Sequence, residues 1–238
     1  MKIVIIGGHH ISALVLAKYL KEKHHQIYWF GTRYPRWPEK TEGIEYRQVR
    51  AENLAFIDLK TGKFHQNFWR WWRILFGFFQ ATWYLLKLKP DLIFSFGGYL
   101  AVPVVIGGWL LAIPSITHEQ TRTAGLANRF LQYFVKKICL TWPESKKFFK
   151  GEKTILTGLP IRKELFSQKK IKLFKNNLPV ILVMGGKQGS HSINLAIREI
   201  IAELLLNYNV VHQCGDILKA KDYDDLTILK KSLPKPLR

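Results

Sequence analysis

The stretch Asp91–Arg129, DLIFSFGGYLAVPVVIGGWLLAIPSITHEQTRTAGLANR, decides the fold. It opens as an apolar strand, Leu92–Phe96, breaks at Gly97-Gly98, continues as a small-residue helix over about Ala101–Ala112, and returns through Pro114 to a second strand, Ser115–Thr117. Leu92 to Thr117 holds no charged residue, yet Gly97-Gly98, Pro103, Gly107-Gly108 and Pro114 punctuate it at the intervals of strand, loop, helix and strand, so it reads as protein interior rather than membrane. The unit is one right-handed β-α-β turn of a parallel sheet. Directly after its second strand comes a polar run, His118-Glu119-Gln120-Thr121-Arg122. Open α/β sheets bind ligands at strand carboxyl ends, and a carboxylate beside an imidazole there can move a proton or grip a sugar.

The amino terminus repeats the pattern. Ile3–Ile6 is a short apolar run of the kind that makes a buried parallel strand, Gly7-Gly8 ends it, and a helix follows from about Ser12 to Lys23. A glycine turn feeding a helix amino terminus suits an anion, because unpaired N–H groups point outward there. A dinucleotide site is excluded: GGHHIS lacks G-x-G-x-x-G, and the next strand, Gln26–Phe30, ends in Gly31-Thr32 without a carboxylate for a ribose. Residues 33–66 are poorly periodic and predict loops with one or two short strands, for instance Glu45–Val49.

The order FGGY, HEQ, GLANR resembles the acceptor domain of the MurG family, enzymes that transfer N-acetylglucosamine onto undecaprenyl-pyrophosphoryl-muramoyl-pentapeptide. The resemblance implies an α/β protein of GT-B architecture and a role in peptidoglycan and cell-wall synthesis. On its motifs, Gly7, Gly8, Gly97, Gly98, Tyr99, His118, Gln120, Thr121 and Asn128 bind the acceptor, and His9 and Glu119 are catalytic, one as general base and the other orienting the acceptor. The family's first glycine loop is GGTGGH; aligning His9 with its histidine leaves this loop three residues shorter. Thr121 stands where the family carries the asparagine of HEQN.

Composition limits the partners. The 238 residues are 47% hydrophobic and 23% charged, globular values, and 37 basic against 17 acidic residues leave a net charge of +20. Such a charge points to nucleic acid, anionic lipid or phosphorylated substrates, and nucleic acid is set aside because no zinc pair, basic zipper or RNP signature occurs. Cys139 and Cys214 lie apart in apolar stretches and read as buried thiols of a reducing compartment. MKIVIIGG has too short an apolar run for a signal peptide.

Phe68–Leu88, FWRWWRILFGFFQATWYLLKL, predicts a helix on which Arg70, Arg73, Gly77, Gln80, Tyr84 and Lys87 form one narrow stripe among large apolar residues. Its uncharged centre, Ile74–Leu86, is shorter than the roughly 20 residues a bilayer demands. Trp69, Trp71, Trp72 and neighbouring aromatics instead suit a headgroup region, with arginines on anionic lipid. The expectation is a peripheral protein on the cytoplasmic face of the membrane.

Further on, Ala124–Val135 predicts a helix, Lys137–Trp142 a strand, Pro143–Lys150 a short helix and Lys153–Thr157 the last strand of the first sheet. The acceptor domain is expected over residues 1–162, a lysine-rich linker over 163–177, and a donor domain begun at 178–238. There Val180–Met184, a glycine loop, a helix from about Ser192 to Leu206 and a strand Asn209–Gln213 follow in turn. The loop GGKQGS resembles the family's GGSQGA, HQCG its HQTG, and Gly158–Arg162 its G-x-P-x-R. Arg162, Gly186, Lys187, Gln188, Gly189 and Asn194 are thereby implied to bind UDP-N-acetylglucosamine, with helix amino termini and Arg162 or Lys187 taking up the charge of departing UDP and no metal or cofactor required. Two β-α units are too few for a self-sufficient donor domain, so a fragment or truncated product, inactive by itself, is expected.

Overall fold

The computed structural model describes residues 1–34, 42–61, 72–166, 172–186, 189–215 and 221–234, with the side chains of 72–74 outside that description. Trp69, Arg70, Trp71, Lys187 and Gln188 and the side chains of Trp72 and Arg73 therefore lie outside the described residues. The chain divides into two compact units, Met1–Ser167 and Gln168–Arg238. The division falls inside the lysine-rich stretch.

The first unit is a seven-stranded parallel sheet, β1 (Lys2–Ile6), β2 (Gln26–Gly31), β3 (Ala55–Asp58), β4 (Leu92–Ser95), β5 (Ser115–Glu119), β6 (Lys137–Leu140) and β7 (Thr154–Leu156), in the order β3-β2-β1-β4-β5-β6-β7. The order reverses between β1 and β4, so the connections on either side of that pair leave toward opposite faces. Side chains alternate accordingly. Ile3 and Ile5 pack with Ala13 and Ala17 of α1 (His10–Glu22), Trp29, and Val49 of α2 (Ile44–Ala51). Val4 and Ile6 face the opposite core, made by Ala81 and Leu85 of α3 (Trp72–Leu88), Val104 and Val105 of α4 (Ala101–Leu110), and Leu131 of α5 (Leu126–Leu131). Burial on both faces is why these strands read as continuous apolar runs.

Three expectations need correction. Glu45–Val49 is helix, not strand: α2 begins after Gly43, buries Val49 and aims Glu45 at Trp29, while the short strand is β3. The helix expected over Ala124–Val135 is only α5, because Gln132 turns its side chain back to bond the Arg129 carbonyl and the Lys150 amide. Pro143–Phe148 is a 3-10 helix, and β6 stops at Leu140.

Gly77, Gln80 and Tyr84 of the α3 stripe face inward, while Lys87 at its end is exposed beside Trp83. Gln80 accepts a bond from the Lys60 amide at 2.8 Å and donates to the Asp58 carbonyl at 3.2 Å, and Tyr84 meets Phe30 edge-on. Gly77 is buried because Thr61 presses on its Cα, where any side chain would collide. The helix consequently shows water Leu75, Phe76, Phe79, Trp83 and Leu86, each at least half exposed. Among the described residues no helix is long and apolar enough to cross a membrane.

The second unit pairs β8 (Val180–Met184) with β9 (Asn209–Gln213) in parallel and carries α6 (His191–Asn207) and α7 (Asp222–Ser232).

Candidate active site

Strand order reverses between β1 and β4, and the carboxyl ends of that pair are the place where open α/β sheets hold ligands. Two glycine turns meet there. Gly97 and Gly98 have φ of 75° and 81°, and a Cβ on Gly8 would run into the carbonyl of Gly97. Backbone thus approaches backbone where larger residues would collide.

Beside the turns, the end of β5 builds a polar knot. Glu119 is buried, and both carboxylate oxygens are in use: Oε1 accepts the Thr121 amide at 2.8 Å and its hydroxyl at 2.6 Å, and Oε2 accepts the Gly125 amide at 2.9 Å and Asn128 Nδ2 at 3.0 Å. Burial pushes the Glu119 carboxyl up, but the bonds from Thr121, Asn128 and Gly125 outweigh it and hold the group below its ordinary range. A carboxylate so saturated fixes a loop and is a weak proton acceptor. Asn128 is fastened in turn, its Nδ2 also donating to the His118 carbonyl and its Oδ1 accepting from Thr117 Oγ1 at 2.8 Å. Thr121 therefore does local work as a double donor.

His118 is buried with its ring against Phe96, centroids 5.2 Å apart. Burial lowers its pKa, opposed by the Gly158 carbonyl 2.9 Å from Nε2 and by Glu119, and assisted by the charge of His9. A neutral ring donating from Nε2 to Gly158 fits these neighbours, leaving Nδ1 buried without a described partner. Gln120 accepts from Ser12 Oγ at 3.3 Å and ties the knot to the first turn of α1. His9 precedes α1, is exposed, and lies close enough to His118 to influence it. Tyr99 is half-buried and bonded to Thr32, its phenol pushed up chiefly by burial.

His9, Gly7, Gly8, Gly97, Gly98, Tyr99, His118, Glu119, Gln120, Thr121 and Asn128 thus belong to this one region of the first unit. Arg162 is exposed and lines a groove of about 720 Å³ along α1, with Ile11, Lys18, Tyr19 and Glu22. Gly186, Gly189 and Asn194 belong to the second unit. Gly186 has φ of 77°, and the Cα of Gly189 packs against the carbonyl of Cys214. Asn194 donates to that carbonyl at 3.0 Å and to Asp222 Oδ2 at 2.8 Å, and Asp222 Oδ1 meets His191 Nδ1 at 2.8 Å.

Sequence reading passes over Glu45, Thr32 and Asp222. Asp222 opens the run Asp222-Tyr223-Asp224, an Asp-x-Asp pattern, but it is buried against Asn194 as a structural carboxylate. The signal that could have found Glu45 is the i, i+4 pair Glu45 and Val49 after Gly43, a helix start.

A parallel sheet with polar residues gathered at its switch point, followed by a smaller parallel sheet whose first strand runs through a glycine turn into a helix, is the architecture of a GT-B glycosyltransferase. Residues 6–140 match the glycosyltransferase family 28 N-terminal domain. The UDP-N-acetylglucosamine--N-acetylmuramyl-(pentapeptide) pyrophosphoryl-undecaprenol N-acetylglucosamine transferase of Clostridium tetani (strain Massachusetts / E88) is 37% identical over 98% of this chain and 68% of its own length. Its counterpart in Clostridium novyi (strain NT) is 36% identical over 98% and 69%. Among solved structures, MurG of Acinetobacter baumannii superposes with a TM-score of 0.68 at 25% identity, covering 98% of this chain and 65% of that one. UDP-GlcNAc 2-epimerase of Neisseria meningitidis, at a TM-score of 0.64 and 17% identity over 98% and 70%, shares the fold. The chain belongs to the MurG family of N-acetylglucosamine transferases, and it spans about two thirds of the length of these relatives.

Proposed function

We propose that the protein transfers N-acetylglucosamine from UDP-N-acetylglucosamine to a hydroxyl of a lipid-linked N-acetylmuramoyl-pentapeptide, with inversion, and that the first unit holds the acceptor. The observation that carries this reading is the contrast between two candidate bases in one region: Glu119 is buried under four donors, whereas His9 is exposed. His9 is accordingly the base, and Glu119 shapes the floor. The acceptor oxygen attacks the anomeric carbon, its proton passes to His9, and the bond from that carbon to the diphosphate oxygen breaks with its electron pair leaving on UDP. The glycine turn ahead of α6 takes the diphosphate at the helix amino terminus, and Asn194, whose Nδ2 donates to the Cys214 carbonyl and to Asp222, holds that turn rather than the ligand. The test is transfer of labelled N-acetylglucosamine to the lipid-linked acceptor, paired with acceptor binding by the 238-residue chain. Saturable acceptor binding supports the reading; a first unit that ignores the acceptor overturns it.

The same reading sets the protein on the cytoplasmic face of the membrane as a peripheral protein. Its contact is the outer face of α3, continued by exposed Trp109 and Leu110 at the end of the adjoining α4. Aromatic side chains enter the headgroup region, and lysines such as Lys87, 5.3 Å from the Trp83 ring, meet anionic lipid.

A further inference from the structure

Arg122 is the one charged residue of the loop 120–125, and the reaction above does not use it. The buried carboxylate of Glu119 holds this loop on both sides of Arg122, by the amide and hydroxyl of Thr121 and by the amide of Gly125. Arg122 is thus mounted on fixed backbone while its side chain is exposed. Its guanidinium lies over the indole of Trp142, 4.7 Å from the ring centroid. Trp142 is itself 41% exposed, and the backbone around it is fastened: the Thr141 amide donates to the Glu119 carbonyl at 3.0 Å, and the Ser145 hydroxyl donates to the Trp142 carbonyl at 2.6 Å. The two side chains therefore stand just past the carboxyl ends of β5 and β6, the strands that follow β4 in the sheet.

A guanidinium over an aromatic ring is steadied by the attraction of its charge for the π-face, and its planar fork of N–H donors matches two oxygens of a carboxylate or a phosphate. Glu144 faces the same guanidinium. Its Oε1 is 3.6 Å from Arg122 Nη2, too long for a hydrogen bond, and the two side chains are 50% and 63% exposed. A pair so open to water adds little to stability and yields readily to a better partner. Adjacent strands lie about 4.8 Å apart, which puts the end of β6 about 10 Å from that of β4. The acceptor spans that distance, since an extended five-residue peptide alone reaches roughly 17 Å.

We propose that Arg122, steadied by Trp142, binds an anionic group of the acceptor, donating to two oxygens of a peptide carboxylate or of the pyrophosphate in place of its loose pair with Glu144. This rests on the acceptor reading above and adds to it the residue that meets the acceptor's charge. It also gives the knot at Glu119 a task, because the buried carboxylate fixes the loop and the loop presents the cation.

The experiment measures binding of three ligands to the 238-residue chain in detergent: the lipid-linked pyrophosphoryl-muramoyl-pentapeptide, the same molecule with its peptide replaced by a methylamide, and the muramoyl-pentapeptide without pyrophosphate and lipid. Arg122→Ala should weaken the complete acceptor about 10-fold or more, the scale of a bond between charged groups. Arg122→Lys, a point charge without the fork, should bind more weakly than wild type and more tightly than Arg122→Ala, and it carries the test should the alanine variant fail to fold. Glu144→Gln, which frees the guanidinium, should leave binding as strong or tighten it, whereas a purely structural ion pair would suffer from either change. A loss confined to the ligand with peptide and no pyrophosphate names the carboxylate; one confined to the methylamide names the pyrophosphate. Arg122→Ala binding within about twofold of wild type, losses of equal size for the two partial ligands, or Glu144→Gln weakening binding as Arg122→Ala does would each overturn the assignment and leave the acceptor reading intact. If the unaltered chain binds none of the three, the acceptor reading itself falls and this assignment falls with it.

Discussion

Asn128 Nδ2 lies 3.0 Å from Glu119 Oε2, and the other oxygen of that carboxylate takes both the amide and the hydroxyl of Thr121. One buried charge thereby ties the end of β5 to the first turn of α5. The loop between them, residues 120–125, is held in shape by a group that has no lone pair to spare for chemistry.

Stability should follow the charge of Glu119. Its folded-state pKa is depressed below the ordinary 4.5, so the stabilisation is fully present above that value and is lost as pH falls through the lower, folded one. Glu119→Gln should cost roughly 1–3 kcal/mol near neutral pH, since an amide must turn N–H toward at least one donor. The difference between variant and wild type in chemical denaturation should shrink below about pH 4. A difference that stays constant down to pH 2 would contradict this account.

His118 should titrate in the same direction for another reason. Burial lowers its pKa from 6.5, so the unfolded chain binds the proton more readily and stability falls as pH drops below that value. The imidazole resonances of His118, followed by NMR, should show the neutral ring persisting below the ordinary midpoint of 6.5. A midpoint above 6.5 would mean that the ring is not closed off as the geometry has it.

How much of this was legible in the sequence depends on whether the deciding partner is near in the chain. Strands such as Ile3–Ile6 and Leu92–Phe96 announce themselves because burial on both faces demands an unbroken apolar run, and glycine or proline bounds each one. Glu45–Val49 misleads because five residues fit a period of two as readily as a single helical turn; Trp29, 16 residues earlier, settles it by binding Glu45. The stripe on α3 was visible, but its direction was not. Gln80 faces inward because the Asp58–Lys60 backbone needs its amide, which periodicity alone does not reveal. Glu119 stood out as a carboxylate at a strand's carboxyl end, while its saturation depends on Gly125 and Asn128 folding back over it.

His9→Ala should lower turnover by roughly 100-fold or more in a transfer assay, the usual scale for loss of a general base, with acceptor affinity nearly unchanged. Glu119→Gln should instead weaken acceptor binding along with turnover, because the loop it shapes is part of the floor. Near-normal turnover in His9→Ala would remove His9 from the role.

Gly8→Ala tests the meeting of the two glycine turns. The added methyl runs into the carbonyl of Gly97, a backbone atom that cannot swing away as a side-chain tip would. Either β1 and β4 part at their carboxyl ends or the turn carrying His9 shifts. Acceptor binding should fall about 10-fold or more while far-UV circular dichroism is kept, and unaltered binding would show that the close approach is dispensable.

The outer face of α3 offers the most direct test of the membrane reading. Phe79 and Trp83 are 66% and 54% exposed, one turn apart, although burying a side chain of that size is worth about 1.5–3 kcal/mol. Their neighbours Gly77 and Gln80 cannot trade places with them, since one is pressed by Thr61 and the other holds the Lys60 amide. The helix is thus fixed with its apolar side outward. Phe79→Ser with Trp83→Ser removes exposed apolar area at the cost of the edge-on contact of Trp83 with Tyr84, so the melting temperature should change by no more than a few degrees. Sedimentation with vesicles containing anionic lipid should fall several-fold in the double variant. Wild-type binding should weaken with added salt, because headgroup attraction is screened over a Debye length of about 8 Å at physiological ionic strength. Equal sedimentation of variant and wild type would show that the exposed aromatics do not meet the bilayer.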